Sequence, residues 1–285
     1  METTALLLEN IKFSYPSEPH RQVFESLSAT IPLSGNTMIL GPNASGKTAL
    51  ARLLGGLDSP TAGKIHWPPD KRDCAGDFGW EPLQAGVVFE NPEYQFQAFT
   101  VGEELETGLI YRGADSVARM QEVAEAAGKF GLAPLLEKRL QDLERPQKLT
   151  VLVAAFLILR PRLLALDFSL SCLENRFLEA LLEESRKSQG PALVVTSRRA
   201  EDLALLGPAA QVYLLRKDCL EALESGAGDP GIAARLENEG IGLPWYAGIS
   251  AQLRGRGLIS AVIYGQEAEF IREAESVKIE NRPGD

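Results

Sequence analysis

GPNASGKT occupies residues 41–48 and fits the pattern G-x-x-x-x-G-K-[ST], which forms a phosphate-binding loop in many nucleotide-binding proteins. The chemistry of the residues explains the spacing. Gly41 and Gly46 allow the backbone to fold closely around a phosphate chain, so that successive N–H groups point at its oxygens. Lys47 offers a cation to the terminal phosphates, and the Thr48 hydroxyl can ligate Mg²⁺. The alternative is a glycine-rich turn that precedes a helix by chance.

The residues on either side favour the phosphate-binding interpretation over a chance turn. Residues 37–40 have the apolar composition of a buried strand, and a helical pattern follows over 48–54. A helix that begins here points the partial positive charge of its N-terminus at bound phosphates. We therefore predict that the chain binds a nucleoside triphosphate through the loop residues Gly41, Pro42, Asn43, Ala44, Ser45, Gly46, Lys47 and Thr48.

Length, composition and charge restrict the class of protein. The 285 residues, of which 45% are apolar and 24% charged, are typical of a soluble globular protein with one large or two modest domains. A formal net charge of −10 argues against general DNA or RNA binding, so no nucleic-acid partner is predicted. The longest apolar run, at 151–159, is about half as long as a bilayer span, and the N-terminus lacks the basic residues of a secretory signal.

The three cysteines, Cys74, Cys172 and Cys219, are scattered along the chain. This distribution indicates reduced thiols and excludes a cysteine-based metal site. We therefore expect a cytosolic protein that reaches a membrane only through a partner.

Strand-like and helical patterns alternate along most of the chain. Besides 37–40, strands are predicted from apolar or alternating runs at 5–15, 64–67, 85–89, 163–167, 192–196 and 211–215. From 100 to about 160, apolar residues recur at three- and four-residue spacing, with interruptions expected at Gly128 and Gly131. This order predicts a doubly wound α/β fold with a helical insert near 100–160.

The same pattern suggests where the nucleotide-binding domain ends. After residue 223, glycine, proline and acidic residues thin out the apolar periodicity. We predict a nucleotide-binding domain over 1–223 and a small C-terminal appendage over 224–285. Within the domain, residues 70–81 are charged and are expected to form a loop.

Five segments outside the phosphate loop share the sequence pattern of one protein family. They are LENIKFSYP at 8–16, PTAGKI at 60–65, VVFENPEYQFQAFTV at 87–101, GLAPLLEKRLQDL at 131–143 and DPGIAARLENEGIGLPWYAGISAQLRGRGL at 229–258. The third is the most specific, because it is similar to the family pattern VFQNPDDQLFAPTV. With the phosphate loop, these segments make the chain resemble an ABC-type ATPase subunit of the energy-coupling-factor (ECF) and cobalt importer group.

The resemblance implies a fold, ligands and partners. It implies the P-loop NTPase fold of ABC ATPases, with ATP and Mg²⁺ as ligands and Tyr15 stacked on the adenine. The implied Mg²⁺ ligands are Thr48, Glu90 on the lid loop and Asp167 at the end of its strand. The implied partners are a second ABC-type ATPase subunit, in a heterodimer, and a transmembrane protein. This assembly would hold the chain in the cytoplasm, peripherally at the inner face of the cell membrane.

The chain departs from the family pattern at five places. LERPQ stands at 143–147, where the family has the signature LSGGQ. Phe168 occupies the position of the catalytic glutamate, and Ser197 that of the switch histidine. Glu90 replaces the lid-loop glutamine, and Glu174 replaces the aspartate of the D-loop.

The changes at Phe168 and Ser197 remove groups that hydrolysis needs. Phe168 cannot take a proton from an attacking water, so general-base assistance worth ~10²–10⁴ in rate is absent. Ser197 can form hydrogen bonds but cannot carry a positive charge beside a γ-phosphate. The two histidines, His20 and His66, lie early in the chain, where surface or packing roles are expected. No catalytic residue is therefore assigned.

The altered signature weakens a different contact. The resemblance places Glu144 where a serine would face the γ-phosphate of a partner's nucleotide. A carboxylate ~4 Å from a phosphate charge costs on the order of 4 kcal/mol at an effective dielectric of about 20. Pro146 removes a backbone N–H that a glycine would offer. Arg145 carries the opposite charge, and the sequence leaves its direction open.

Two of the implied Mg²⁺ ligands have alternative roles. The carboxylate of Glu90 suits Mg²⁺, but Glu90 can instead be a solvated glutamate on a mobile loop. Asp167 can instead cap a helix at the end of its strand.

Three functions are consistent with these residues. The first is an ATP-binding subunit of an ECF-type or related importer that binds ATP, hydrolyses it poorly and pairs with a competent ATPase. The second is a soluble regulatory or scaffolding nucleotide-binding protein derived from an ABC ATPase. The third, an active P-loop ATPase or kinase, is disfavoured by Phe168 and Ser197.

Overall fold

The computed structural model describes residues 5–69, 83–207, 210–223, 235–243, 246–247, 249–250, 253 and 271–272. The strands are β1 Ala5–Ser14, β2 Gln22–Pro32, β3 Asn36–Leu40, β4 Ala62–His66, β5 Ala85–Phe89, β6 Leu163–Asp167, β7 Ala192–Ser197, β8 Gln211–Arg216 and β9 Cys219–Ala222. The α-helices are α1 Lys47–Leu54, α2 Val101–Tyr111, α3 Ser116–Lys129, α4 Arg145–Ile158, α5 Asn175–Arg186 and α6 Asp202–Leu206.

These strands form a single sheet in the order β4-β1-β2-β9-β8-β3-β7-β6-β5. From β8 to β5 neighbouring strands are parallel, and the register pairs Leu40 with Ser197 and Phe89 with Asp167. At the opposite side, β1 pairs antiparallel with β2 and β4. Parallel strands end at a common edge, so the segments that follow β3, β5, β6 and β7 lie close together.

Two apolar cores cover the faces of the sheet. One packs α1 against β1, β2 and β3, with Phe24, Ile39 and Leu50 fully buried. The other, larger core packs α4 against the opposite face and includes Val153 and Leu166. Strands covered on both faces are apolar over most of their length, as β6 and β7 are before the polar residues at their ends, whereas β1 alternates between buried and exposed residues.

The α/β fold class predicted from the sequence is confirmed, with a mixed sheet rather than a purely parallel one. The sequence patterns missed two strands, β2 and β9. β2 carries polar residues at irregular spacing, and β9 has only four residues, so neither has a clear periodic signal. Each pairs antiparallel with the strand that precedes it in the sequence, β2 with β1 and β9 with β8, and the two strands pair with each other at Ser28 and Cys219.

Helices occupy much of the segment between β5 and β6, where the helical pattern was predicted. Thr100 begins α2, its hydroxyl accepting from the Glu103 N–H at 3.3 Å. Asp115 begins α3 and accepts from two backbone N–H groups. The interruption expected at Gly128 was wrong, because α3 runs through it to Lys129; Gly131, with φ of +71°, follows the end of the helix.

The described residues after 223 pack onto the rest of the chain. Leu236, Ile241 and Ala247 are buried in the larger core. The Ala200 N–H donates to the Gly242 carbonyl at 3.4 Å. The division at 223 is not tested by these contacts, and the loop expected at 70–81 lies outside the described residues.

Within the part of the chain that the structure describes, no helix is both long enough and apolar enough to cross a membrane.

Candidate functional site

The phosphate loop follows β3 and depends on glycine at two positions. A Cβ on Gly41 would lie 2.6 Å from Ser45 Oγ and 2.7 Å from the Leu215 carbonyl oxygen. Gly46 has φ of +98°, and a Cβ there would lie 2.6 Å from the ring of Phe24. Both the close approach and the left-handed backbone therefore exclude larger residues. The loop conformation is built into the packing between β3, β8 and β2.

Lys47 is the first residue of α1, and its side chain lies across the loop. Its Nζ donates to the carbonyls of Gly41 and Pro42, at 2.7 Å each. Burial lowers the pKa of Lys47, the negative charge of Asp167 raises it, and the positive charge of Arg198 lowers it further. The next residue, Thr48, is exposed in the first turn of α1, so its hydroxyl is accessible to a ligand.

A cleft of about 1700 Å³ opens beside the loop and collects the residues predicted from the sequence. Its lining includes Tyr15, Lys47, Thr48, Glu90, Asp167 and Ser197. These residues come from five separate segments, and the common edge of the parallel strands brings them together.

Tyr15 lies at one end of the cleft, just after β1. Its ring packs edge-on against Phe13, with centroids 5.1 Å apart and an interplanar angle of 76°. Burial raises the pKa of the Tyr15 phenol, which therefore stays neutral at ordinary pH. A half-buried ring that lines the cleft suits stacking on a planar base.

Asp167 ends β6 and faces the loop. Its Oδ1 accepts a hydrogen bond from the Thr196 hydroxyl. Among the described residues, no group of three or more histidine, cysteine or acidic side chains could hold a metal ion by itself. A hydroxyl from Thr48 and a carboxylate from Asp167 fit Mg²⁺, which takes few protein ligands and completes its shell with phosphate oxygens and water. When bound, Mg²⁺ would neutralise charge on the phosphates.

The two positions that lack catalytic groups are occupied by well-packed side chains. Phe168 is 3% exposed and belongs to the larger core, although it also borders the cleft. Ser197 donates its hydroxyl hydrogen to Asp202 Oδ2 at 2.5 Å. Asp202 is fully buried and accepts a second bond from the Ser169 hydroxyl, at 2.9 Å. Neither Phe168 nor Ser197 offers a base or a cation to the cleft.

Glu90 and Arg145, which both line the cleft, form an ion pair. Arg145 donates to the Glu90 carboxylate at 2.8 Å and to its backbone carbonyl at 3.1 Å. Lys148, one turn further along α4, pairs with Glu93 at 2.9 Å. Arg145 therefore points at the lid segment of its own chain. Glu90 is exposed to solvent but makes this contact, and its role as a Mg²⁺ ligand stays a prediction.

The pKa directions agree with these two pairs. The Glu90 carboxylate raises the pKa of Arg145, and the Lys148 ammonium lowers the pKa of Glu93. Both carboxylates are more than half exposed, so each pair contributes little to stability.

The altered signature residues begin α4. Glu144 precedes the first turn, and its N–H donates to the Gln147 side chain at 3.2 Å. Pro146 lies within the first turn, where a missing N–H costs no helical hydrogen bond. Glu174 similarly precedes α5. The segment LERPQ is thus a well-formed helix start in this chain.

The sequence patterns missed Asp202 and the pairing of Glu90 with Arg145. Asp202 lies five residues after Ser197 in a polar stretch that resembles any exposed turn. Glu90 and Arg145 are separated by 55 residues. At both positions the family pattern has a neutral residue, and this chain has an acid at Glu90 and a base at Arg145. This gain of opposite charges was the sequence signal for the pair.

An α/β fold with a mixed sheet and a glycine-dependent phosphate loop between β3 and α1 defines a P-loop nucleotide-binding protein. Comparisons with known proteins narrow this class. A family model described as ABC transporter matches residues 24–169. The energy-coupling factor transporter ATP-binding protein EcfA1 of Halalkalibacterium halodurans is 30% identical over 258 residues, which cover 89% of this chain and 90% of that protein.

Two further comparisons agree along the whole chain. The protein of the same name from Geobacillus kaustophilus is 28% identical over 96% of this chain and 97% of its own length. The structure of cbiO1 from Clostridium perfringens, described as part of the ABC transporter complex cbiONQ, has a TM-score of 0.63 at 19% identity. It covers 90% of this chain and 96% of that one. The chain therefore belongs to the ABC transporter family, and its resemblance to the ECF group is confirmed.

Proposed function

We propose that the chain is an ATP-binding subunit of an ECF-type or related importer, which binds Mg·ATP tightly but hydrolyses it poorly. The observation that carries this proposal is the contrast within one cleft. The phosphate loop is complete, whereas Phe168 is buried in the core at the position of the catalytic base.

ATP binding is supported by the shape and charge of the cleft. The loop is pre-formed by packing, so its N–H groups need little reorganisation to receive phosphates. More basic than acidic side chains line the cleft, although the whole chain has a net charge of −10. A local excess of positive charge favours a polyanionic ligand. Tyr15 is placed to stack on the base, and Thr48 and Asp167 to hold Mg²⁺.

Poor hydrolysis is supported by the absence of a proton acceptor at the expected place. Phe168 has no acceptor atom, and the Ser197 hydroxyl is held by Asp202. ATP can still bind in a cleft that lacks a base, because phosphate binding and proton transfer use different groups.

Partner binding is supported by exposed aromatic residues beside the cleft. Tyr94, Phe99 and Tyr111 are 87%, 85% and 80% exposed. Large exposed aromatic side chains are typical of protein–protein interfaces. We propose that a transmembrane protein docks here and holds the chain peripherally at the inner face of the cell membrane. The relatives named above are ATP-binding proteins of transporters.

For this chain we propose a nucleotide-binding domain over residues 1–223 and a small C-terminal appendage over 224–285.

The test of assembly is affinity purification of the tagged chain from membranes of the cells that produce it. We expect a second ABC-type ATPase and a polytopic membrane protein to copurify. The double variant Tyr94→Ser/Tyr111→Ser should lose the membrane protein, whereas Leu7→Ser, at an exposed position on β1, should retain it. A chain recovered alone from the soluble fraction would favour the regulatory or scaffolding alternative.

The proposed heterodimer has two unequal nucleotide sites. One uses Lys47, Thr48 and Asp167 with the partner's signature, and should retain ATP but cleave it slowly. The other uses the partner's phosphate loop and faces Glu144 and Pro146, so it should bind less tightly yet carry whatever turnover remains. Mutating each phosphate-loop lysine separately in the purified complex tests this. Loss of turnover in Lys47→Ala, with turnover intact in the partner's variant, would reverse the assignment.

A further inference from the structure

Ser197 occupies the position of the switch histidine, and its hydroxyl hydrogen already forms a hydrogen bond within the chain. Ser197 donates to Asp202, which is fully buried, and accepts from the Arg199 N–H at 3.1 Å. A hydroxyl has a single hydrogen to donate. Ser197 is therefore not available to donate to a γ-phosphate unless the bond to Asp202 breaks.

The next residue along the chain lies close to the phosphate loop. The parallel register of β3 and β7 ends with Leu40 opposite Ser197, so Arg198 and Gly41, the first residue of the loop, each follow this last pair directly. Arg198 and Lys47 line the same cleft. Their proximity is also expressed electrostatically, because the charge of Arg198 lowers the pKa of Lys47.

The guanidinium of Arg198 is uncommitted. Arg198 is exposed, and within the described residues its side chain makes no hydrogen bond or ion pair. Three other arginines at the cleft, Arg21, Arg52 and Arg145, pair with Glu18, Asp58 and Glu90. Arg199 also lines the cleft without a side-chain partner among the described residues, but Arg198 is the one whose charge lowers the pKa of Lys47. The positive charges of Lys47 and Arg198 repel each other, while the nearby Asp167 carboxylate attracts Lys47. An anion between the two cations would relieve that repulsion.

We propose that Arg198 binds the γ-phosphate of ATP, and so provides the positive charge that Ser197 cannot. This inference rests on the proposed ATP-binding function and adds a residue to it. A guanidinium suits the task, since its planar donors match phosphate oxygens and it stays charged at all ordinary pH values. Arg198 is a binding residue in this role and supplies no base, so the inference is compatible with poor hydrolysis.

The inference separates ATP from ADP, because only ATP carries the γ-phosphate. We expect Arg198→Ala to weaken Mg·ATP binding about tenfold and to leave Mg·ADP binding within about twofold of the wild type. Arg198→Lys should recover part of the ATP affinity. Isothermal calorimetry on the full chain with each nucleotide measures both constants. Unchanged ADP affinity also shows that the variant is folded.

Two outcomes overturn the inference. If Arg198→Ala binds ATP as tightly as the wild type, or loses ATP and ADP affinity equally, Arg198 does not bind the γ-phosphate. Arg176→Ala is the matched control, since Arg176 is an exposed arginine on α5 away from the cleft, and it should leave both affinities unchanged. A wild-type chain that binds neither nucleotide would refute the proposed function itself, and the inference with it.

Discussion

The phosphate loop and the strand ends opposite it face the same cleft but differ in how their chemistry is held. The loop depends on backbone geometry, which Phe24 and Leu215 enforce at Gly46 and Gly41. The opposite side depends on individual side chains, and there Phe168, Ser197 and Glu90 each have new contacts within the chain. A site built from backbone keeps its shape as long as the fold persists, whereas a site built from side chains is altered by single substitutions.

The difference also indicates that the altered positions are integrated into the fold. Phe168 packs in the core, Ser197 shares a buried carboxylate with Ser169, and Arg145 pairs with Glu90. Restoring one family residue would therefore break an existing contact as well as add a catalytic group. Four predictions test this contrast between the loop and the strand ends, from the largest expected effect to the smallest.

Phe168→Glu should destabilise the protein without restoring hydrolysis. The change buries a carboxylate and removes apolar contacts, so we expect the free energy of unfolding to fall by about 3–5 kcal/mol. Catalytic groups that act as a unit do not recover singly, so turnover should stay near background. Urea unfolding and a phosphate-release assay measure the two effects. Phe168→Leu is the control, with a smaller loss of stability; a fast, stable Phe168→Glu variant would show that position 168 is not committed to the core.

Lys47→Ala should weaken ATP binding while leaving the fold in place. Removing a charge-assisted contact with phosphate costs ~1.5–3 kcal/mol, which is tenfold or more in affinity. Calorimetry with Mg·ATP measures it. Lys64→Ala, at an exposed position on β4, is the matched control and should bind normally. Equal affinity in wild type and Lys47→Ala would mean that the loop is not the binding site.

Asp202→Ala should cost about 1–3 kcal/mol of stability, because it leaves the Ser169 and Ser197 hydroxyls without their buried acceptor. Asp202→Asn keeps one acceptor oxygen and should cost less. Thermal unfolding of the two variants gives the comparison. If both variants unfold like the wild type, the serine–aspartate network does not hold this strand end.

Breaking the pair between Glu90 and Arg145 should have the smallest effect on stability. With side chains 70% and 51% exposed, the coupling energy in a double-mutant cycle of Glu90→Gln and Arg145→Ala should be below about 1 kcal/mol. It should shrink further in high salt, since exposed pairs are screened. A larger, salt-independent coupling energy would contradict this prediction and would mean that the pair contributes to the stability of the fold.

The sequence by itself determined the phosphate loop, seven of the strands and the family. These features have local signals: the spacing of glycines around Lys47, and apolar runs such as those of β6 and β7, which must be covered on both faces. The positions of Phe168 and Ser197 were likewise visible, because Phe168 directly follows β6 and Ser197 is the last residue of β7.

Only the tertiary structure decided what occupies the space around those positions. In the structure the Ser197 hydroxyl donates to Asp202, and Arg145 donates to Glu90. Arg198 follows the last residue of β7, which pairs with the last residue of β3 before the phosphate loop. The physical reason is that hydrogen bonds and ion pairs of exposed or turn residues leave no periodic pattern in the sequence. Their partners are set by the edge of the parallel sheet, where strands distant in the chain end side by side.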